Sequence, residues 1–225
     1  MPHSKPSPTN QASQIAYNWR LNSLAEQGEY PVATHFTNGL LFCATWNPLT
    51  QMGCLESVSG PNQNGIKLDG VFFNYITQMC NDSLGNIYIV GDQLDKSDQN
   101  KRGNYVVKKY NIASNTLTAL DKTFNGCINF VCCDSQDNVY VTGDFIDSSN
   151  QKCVMKFDVT TSEWQTVSDN TIGNPLDMCI DDNNRLYLLH SSYRNRAHTN
   201  TVSYLDGTSW SNITSKSLNQ ASAIG

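Results

Sequence analysis

The sequence predicts an all-β fold built from repeated four-stranded antiparallel units, and two observations carry this prediction. One is an internal repeat of about 50 residues. The other is composition: charged residues make up only 16% of the 225 residues and hydrophobic residues 39%, and much of the remainder is Asn, Ser, Thr and Gln. Such a composition is typical of a turn-rich β protein and disfavours a coiled coil or long helical bundle.

The clearest copies of the repeat are LGNIYIVGDQLD (84–95) and QDNVYVTGDFID (136–147), which match at a separation of 52 residues. Three copies share a cysteine, an aspartate two residues later and a tyrosine eight residues later: Cys80, Asp82 and Tyr88; Cys132, Asp134 and Tyr140; Cys179, Asp181 and Tyr187. A degenerate copy precedes them, with Thr34 at the cysteine position and Phe42 at the tyrosine position.

Within one repeat, the pattern has the two-residue period of strands. A short apolar run is followed by a polar turn, such as Asp134 to Asn138, and then by the alternating run VYVTG. A third strand is predicted at Cys153 to Val159, and a fourth begins at Trp164 after another polar turn. Glycines such as Gly126 and Gly173 recur six residues before the cysteine position and mark the entry into each unit.

Four short strands in each of four successive repeats predict a β-propeller, in which the repeats are blades that bury apolar faces against their neighbours. The predicted blades are residues 28–70, 71–121, 122–169 and 170–217. The core D-S-x-G-N-[IV]-Y-[IV]-x-G-D, followed by K-[YF]-[ND] and a W-x-x-V strand, resembles bacterial propeller repeats of the NHL and SBBP type, with a Kelch-like Trp. The resemblance implies an architecture and no particular activity. The paired glycines of Kelch and the Gly-His and Trp-Asp pairs of WD repeats are absent, so the partners of those families are not implied.

The two ends of the sequence differ from the repeats. Residues 1–14 are rich in Pro, Ser, Asn and Gln and predict a disordered tail ahead of a propeller domain at 15–225. Residues 15–24, placed by Trp19, predict a lone fourth strand, and 218–225 a lone first strand. Together they would form a partial shared blade, either in a five-bladed ring or in a piece of a larger propeller. An amphipathic helix at 11–27 is the alternative for the N-terminal segment.

Charge and cysteine usage bear on partners and location. The net charge of −5 gives no electrostatic basis for nucleic-acid binding, and the absence of a run of eighteen apolar residues predicts no membrane span. Cys80, Cys132 and Cys179 occupy apolar strand-like runs and predict core thiols, and the adjacent Cys132 and Cys133 should point to opposite faces of one strand. No Cys-x-x-Cys pair occurs, so neither a metal nor another cofactor is expected. Without a recognisable leader, the expected location is cytoplasmic, with export by a non-Sec route as the alternative.

The loops between the second and third strands are the predicted binding face. Two of them begin with the acidic pattern Gly-Asp-x-x-Asp, formed by Asp92 with Asp95 and by Asp144 with Asp147. Carboxylates gathered in this way could hold a cation such as calcium. The alternative is that they form turns and keep the loops soluble, because they recur with the repeat.

The corresponding loop of the last repeat, residues 190–200, departs from this acidic pattern. Its cationic and aromatic residues are candidates for a binding site: His190, Tyr193, Arg194, Arg196 and His198. Arg and Tyr are enriched where protein partners bind tightly, and histidine can add pH dependence. An ordinary solvated loop is the alternative.

No linear catalytic motif is present: the sequence has no Gly-x-Ser-x-Gly elbow, no His-Glu-x-x-His and no phosphate-binding glycine loop. The leading prediction is therefore a non-enzymatic propeller that binds a protein partner through its loop face. A carbohydrate-binding propeller with equivalent sites between blades is the first alternative. A metal-dependent hydrolase or lyase with a site at the central channel is the second.

Overall fold

The computed structural model describes residues 30–47, 49, 52–58, 66–68, 75–92, 105–167, 172–194, 197–207 and 209–213. These residues form sixteen strands and contain no helix, which confirms the all-β prediction. Three predictions lie wholly outside the described residues: the tail (1–14), the partial shared blade (15–24 and 218–225) and the alternative helix (11–27).

The strands form four antiparallel sheets of four, each in chain order. We call these sheets blades 1 to 4, and the strands of each lie inside one of the four predicted ranges. Blade 1 contains β1 (Tyr30–Thr37), β2 (Leu40–Asn47), β3 (Met52–Val58) and β4 (Ile66–Lys67); blade 2 contains β5 (Tyr75–Asn81), β6 (Ile87–Asp92), β7 (Tyr105–Asn111) and β8 (Thr116–Ala119); blade 3 contains β9 (Ile128–Cys133), β10 (Val139–Ile146), β11 (Lys152–Asp158) and β12 (Glu163–Thr166); blade 4 contains β13 (Asn174–Ile180), β14 (Leu186–Arg194), β15 (Ala197–Asp206) and β16 (Ser209–Asn212).

The chain divides into two compact units, residues 1–78 with 92–103 and residues 79–91 with 104–225. The first unit contains blade 1, whose β2 is buried from Leu41 to Thr45. The second unit contains blades 3 and 4 and all of blade 2 except residues 75–78 of β5 and Asp92, the last residue of β6. The candidate site described below lies in the second unit.

Blade 3 shows how the two-residue period of a strand builds the core. On β9, Cys133 packs against an apolar cluster shared with blade 2, whereas Cys132 packs against a cluster shared with blade 4. On β11, Met155 belongs to the first cluster and Val154 to the second. Successive side chains of a strand point to opposite faces, so this blade contributes to two cores at once. The prediction that Cys132 and Cys133 lie on opposite faces is confirmed.

The recurring entry glycines have a steric cause. A Cβ atom on Gly173 would overlap the carbonyl oxygen of Ser191 on the second strand of the same blade. At Gly126 of blade 3, a Cβ atom would come within 2.8 Å of the Asp144 carbonyl oxygen. The chain entering each of these two blades therefore passes so close to the second strand that a side chain does not fit.

Candidate functional site

Each of blades 2 to 4 has two chemically different ends. At one end, which we call the turn end, tight turns join the first strand to the second and the third to the fourth. At the other, the loop end, the second strand is connected to the third and the chain arrives from the preceding blade. The sequence places its recurring aspartates Asp82, Asp134 and Asp181 at the turn end and its candidate binding residues at the loop end.

The repeated aspartate at the turn end holds its own turn together. In blade 3, Asp134 Oδ1 accepts hydrogen bonds from the backbone N–H groups of Gln136 and Asn138, both at 2.9 Å. Its Oδ2 accepts from Asn138 Nδ2 at 2.9 Å and from the Tyr140 hydroxyl at 3.2 Å. Asp82 and Asp181 make the same two backbone contacts in their turns. The aspartate recurs at the same position of each of these repeats because it holds the turn together.

A second contact at the turn end links neighbouring blades. Asp137 accepts hydrogen bonds from the backbone N–H and hydroxyl of Ser83 in blade 2, at 2.6 and 2.8 Å. Asn184 repeats the link one blade later: its Oδ1 accepts from the Ser135 N–H at 2.8 Å, and its Nδ2 donates to the Ser135 hydroxyl at 2.7 Å. Both linking residues adopt positive φ, 66° and 61°, which Asp and Asn tolerate better than most residues.

An ion pair with an aromatic neighbour also lies at the turn end of blade 2. Lys109 Nζ is 2.8 Å from Asp82 Oδ2 and 5.2 Å from the centre of the Tyr88 ring. Burial opposes the charge on Asp82, but hydrogen bonds from Lys109 and Asn86 outweigh it and lower the pKa of this carboxyl. At the turn end of blade 4, the guanidinium carbon of Arg185 lies 5.1 Å from the centre of the Tyr204 ring. The turn ends are therefore rich in charge that is already engaged within the protein.

The predicted acidic residues of the loop end have different roles in the structure. Asp144 is exposed, with 60% of its side chain accessible, and pairs with Lys152 Nζ at 2.9 Å. Asp147 Oδ1 accepts hydrogen bonds from the backbone N–H groups of Ser149 and Gln151, at 2.8 and 3.0 Å, and so caps the β10–β11 loop. Asp92 ends β6, and Asp95 lies outside the described residues. Among the described residues, no group of three or more His, Cys, Asp or Glu side chains is placed to hold a metal ion.

The segment 190–200, predicted to be a loop, is instead mostly a β-hairpin. Strand β14 continues to Arg194 and β15 begins at Ala197. The strands pair through four successive positions: Ser191 with Asn200, Ser192 with Thr199, Tyr193 with His198 and Arg194 with Ala197. The prediction of a loop is wrong because polar residues also form strands, and Thr and Tyr favour an extended backbone. Arg196 lies outside the described residues.

His190 is buried inside blade 4, with 6% of its surface exposed. Its Nδ1 accepts a hydrogen bond from the Gly173 N–H at 3.1 Å, so the proton of the neutral ring lies on Nε2. That nitrogen is 2.8 Å from the Ser203 hydroxyl, which donates to Asn212 Oδ1 at 2.8 Å. Burial lowers the pKa of His190 below its ordinary value. The imidazole therefore connects the entry of the blade to its third and fourth strands.

A pocket of about 560 Å³ opens at the loop end of blade 3, between the β10–β11 loop and the segment that leads into β9. Its wall combines three apolar side chains with an amide, a cation and an anion: Phe124, Phe145, Met155, Asn125, Lys122 and Asp147. Asp147 is thus the predicted site residue that the structure places in this wall.

The pocket wall is held by contacts between the segment 122–125 and the end of β10. Asn125 Nδ2 donates to the Ile146 carbonyl at 3.2 Å and its Oδ1 accepts from the Ile146 N–H at 3.0 Å. The Phe124 ring packs 4.8 Å from the Phe145 ring centre, and Lys122 Nζ lies 5.6 Å above Phe124. The pocket therefore has a mixed lining, in which aromatic and Met side chains lie beside one positive and one negative group.

Sequence reasoning missed the segment 122–125 because it considered only the loops between second and third strands. A signal for it was present. Asn125 directly precedes the entry glycine of its repeat, whereas the corresponding residues of the neighbouring repeats are the apolar Phe73 and Ile172. The polar Asn125 therefore marks a local difference between blade 3 and the two repeats on either side of it.

No protein-family model and no curated protein matches this chain. Among solved structures it is similar to a chain of the nidogen/laminin complex, with 11% identity, a TM-score of 0.57 and coverage of 79% of this chain and 61% of that one. It is also similar to YCF48 bound to D1 peptide, with 8% identity, a TM-score of 0.53 and coverage of 81% and 52%. A third is the GH74 enzyme of Niastella koreensis, with 18% identity, a TM-score of 0.57 and coverage of 78% and 28%.

These similar structures are β-propeller-type proteins, of which this chain spans between 28% and 61% of the length. At such low identity the likeness shows the fold alone. No helix among the described residues is long and apolar enough to cross a membrane. The four-stranded sheets, the internal repeat and these similarities together identify the fold of this chain as that of a β-propeller.

Proposed function

We propose that this chain is a non-enzymatic interaction module that binds an extended segment of a protein partner at the loop end of blade 3. The observation that carries the proposal is the pocket of about 560 Å³, whose lining combines the apolar Phe124 and Met155 with the charged Lys122 and Asp147. An apolar surface with a few well-placed polar groups is what fixes the orientation of a bound side chain. The opposite charges suit a segment that presents an apolar side chain flanked by an acidic and a basic group.

The chemistry of the turn end supports this choice of location. Its recurring aspartates already accept hydrogen bonds from their own turns, and Asp137 and Asn184 are bonded to neighbouring blades. A ligand at the turn end would have to displace these internal contacts. At the loop end the pocket provides an open volume into which a ligand side chain can fit.

The hairpin β14–β15 extends from the loop end of blade 4, the blade next to the pocket. We extend the proposed site to this neighbouring segment, whose sequence contains Tyr193, Arg194, Arg196 and His198. Arg and Tyr are well suited to contacts with a protein partner. His190 is different, because its imidazole is buried and supports the hairpin from inside the blade.

Two of the similar structures support a binding role by analogy. One contains a complex of nidogen and laminin, and another contains YCF48 with the D1 peptide. The similarity to a GH74 enzyme shows that the fold also serves catalysis. At the finer level, we propose that the repeats belong with those of the NHL and SBBP type, on the strength of the motif at the turns.

The experiment is a selection of peptides from a random display library on the purified chain, followed by measurement of their dissociation constants. We expect Ser148→Trp, which places a large side chain at an exposed position of the pocket rim, to weaken binding at least tenfold. Thr161→Trp is the matched control, because Thr161 is exposed at the turn end of the same blade. It should leave the dissociation constant unchanged.

The double variant Arg194→Ala, Arg196→Ala tests the flanking hairpin in the same assay, with an expected loss of a few-fold. Failure to select any peptide, or equal binding by the Ser148→Trp and Thr161→Trp variants, would contradict the proposal. Saturable binding on a glycan array that is unaffected by Ser148→Trp would instead support a carbohydrate-binding propeller.

A further inference from the structure

Two cysteines from different blades meet in the core between blades 2 and 3. Cys80 Sγ on β5 and Cys133 Sγ on β9 are 3.1 Å apart, although the residues are separated by 53 positions in the chain. Both side chains belong to the apolar packing that these blades share. A disulfide bond is about 2.05 Å long, so the two sulfur atoms need to approach by only about 1 Å to become bonded.

The repeat shows that this pair is a local departure and not a general feature of the blades. The residues that correspond to Cys80 and Cys133 one repeat later are Cys132 and Ile180. Both pack against the core between blades 3 and 4, so that core has an aliphatic side chain where its neighbour has the second thiol. The substitution of Ile by Cys is not required for packing, because the equivalent core is built without it.

The two thiols differ in their accessibility. Cys80 is buried, whereas Cys133 is half-buried. Burial, together with the hydrogen bond to Cys133, raises the pKa of the Cys80 thiol well above its ordinary value. Cys133 is therefore the sulfur that a small oxidant meets first, and Cys80 is the one placed to react with it afterwards. Neither belongs to a group of three or more metal-ligating side chains among the residues that the structure describes.

We propose that Cys80 and Cys133 are a covalent modification site at which a low-molecular-weight disulfide, such as oxidised glutathione, cross-links blades 2 and 3. The Cys133 thiolate attacks one sulfur of the oxidant, forms a mixed disulfide and releases one thiol. The Cys80 sulfur, losing its proton, then attacks Cys133 Sγ and releases the second thiol. The protein loses two hydrogen atoms, and one disulfide of the oxidant is reduced to two thiols.

The cross-link would close a chain segment of 53 positions and join two blades that otherwise adhere through side-chain packing and hydrogen bonds. A bond of this kind restricts the unfolded chain and raises stability. For a protein of this size, we expect the thermal midpoint to rise by about 10 °C. This inference does not depend on the proposed function, because the thiol pair is in the blade interface and not in the pocket wall.

The test is to incubate the purified full chain with oxidised glutathione, block remaining thiols and identify disulfide-linked peptides by mass spectrometry. We expect a cross-link between the peptides that contain Cys80 and Cys133, a loss of two hydrogens from the intact mass, and a higher thermal midpoint that a reducing agent reverses. The variant Cys133→Ile, which copies Ile180 of the next blade, should fold and should show neither change. The matched control Cys179→Ser should still form the cross-link.

Three results would overturn the proposal. They are a persistent mixed disulfide on Cys133 with no internal bond, a bond between the adjacent Cys132 and Cys133, and a cross-linked protein whose thermal midpoint is not raised. The first two show that Cys80 does not act as the second thiol. The measurements on the unmodified sequence remain decisive even if the Cys133→Ile variant fails to fold.

Discussion

At the residue scale, identical side chains have different roles according to which end of a blade they occupy. Asp134 at the turn end accepts four hydrogen bonds from its own turn and strand. Asp144 at the loop end is mostly exposed and makes one ion pair with Lys152. A charged acceptor that satisfies several donors contributes much more to stability than an exposed ion pair does.

This contrast gives a matched pair of substitutions. Asp134→Ala should lower the free energy of unfolding by about 2 kcal/mol, because it leaves the backbone and side-chain donors of the turn unsatisfied. Asp144→Ala should change it by less than about 0.5 kcal/mol, because its side chain is exposed. Urea titrations followed by circular dichroism would measure both values. Equal losses in the two variants would refute the assignment of Asp134 to turn formation.

His190 provides a second prediction at this scale, concerning pH. Its pKa in the folded protein lies below 6.5 because the ring is buried, so the unfolded chain binds a proton at a higher pH than the folded protein does. The free energy of unfolding should therefore fall as the pH is lowered through about 6.5, by at most about 1.4 kcal/mol per pH unit from this group. Urea titrations between pH 7.5 and 5.5 would measure the slope.

The His190→Gln variant is the control for this experiment, because glutamine cannot gain the charge. It should reduce the slope, leaving the contribution of other titrating groups. A slope that is the same in the variant and in the unmodified chain would show that His190 does not titrate in this way.

At the element scale, the close approach of the chain to the second strand explains the entry glycines of blades 3 and 4. Gly173→Ala would force a methyl group against the Ser191 carbonyl oxygen and should lower the free energy of unfolding by about 2 to 3 kcal/mol. Gly207→Asn is the comparison: φ is +63° there, nothing lies within 4 Å of an added Cβ, and Asn tolerates this backbone conformation. Its cost should stay below about 1 kcal/mol. If alanine at 173 is tolerated as well as asparagine at 207, the steric account is wrong.

The strands themselves could be predicted from the sequence because their apolar residues alternate and their turns carry Asp, Gly and Asn at fixed spacing. Strand β11, Lys152–Asp158, begins and ends one residue before the predicted limits Cys153 and Val159. The tip of the hairpin β14–β15 was not predicted, because its polar residues do not alternate with apolar ones. Its strand register is given by the backbone pairing of β14 with β15. A polar composition does not exclude a strand, because the backbone of a polar hairpin still forms the hydrogen bonds of the ladder.

At the scale of the whole molecule, the repeat predicts the fold because each blade has two apolar faces. Each face is buried only when another blade packs against it. The site could be predicted only in part. Asp147 was found from its repeated pattern, but the pocket also needs Lys122, Phe124 and Asn125, which lie in a connection that follows no repeat. A periodic sequence pattern predicts contacts that recur in every repeat, and it does not predict a contact made by a segment that occurs in one repeat alone. The cytoplasmic location remains a prediction.

The central claim is that a partner binds at the loop end of blade 3, and amide hydrogen exchange with a selected peptide tests it most directly. The account predicts slower exchange on binding at residues 122–125 and 145–148, with no change at the turns 134–138 and 181–185. Protection concentrated in those turns, with none around the pocket, would contradict the account and move the site to the opposite end of the blades.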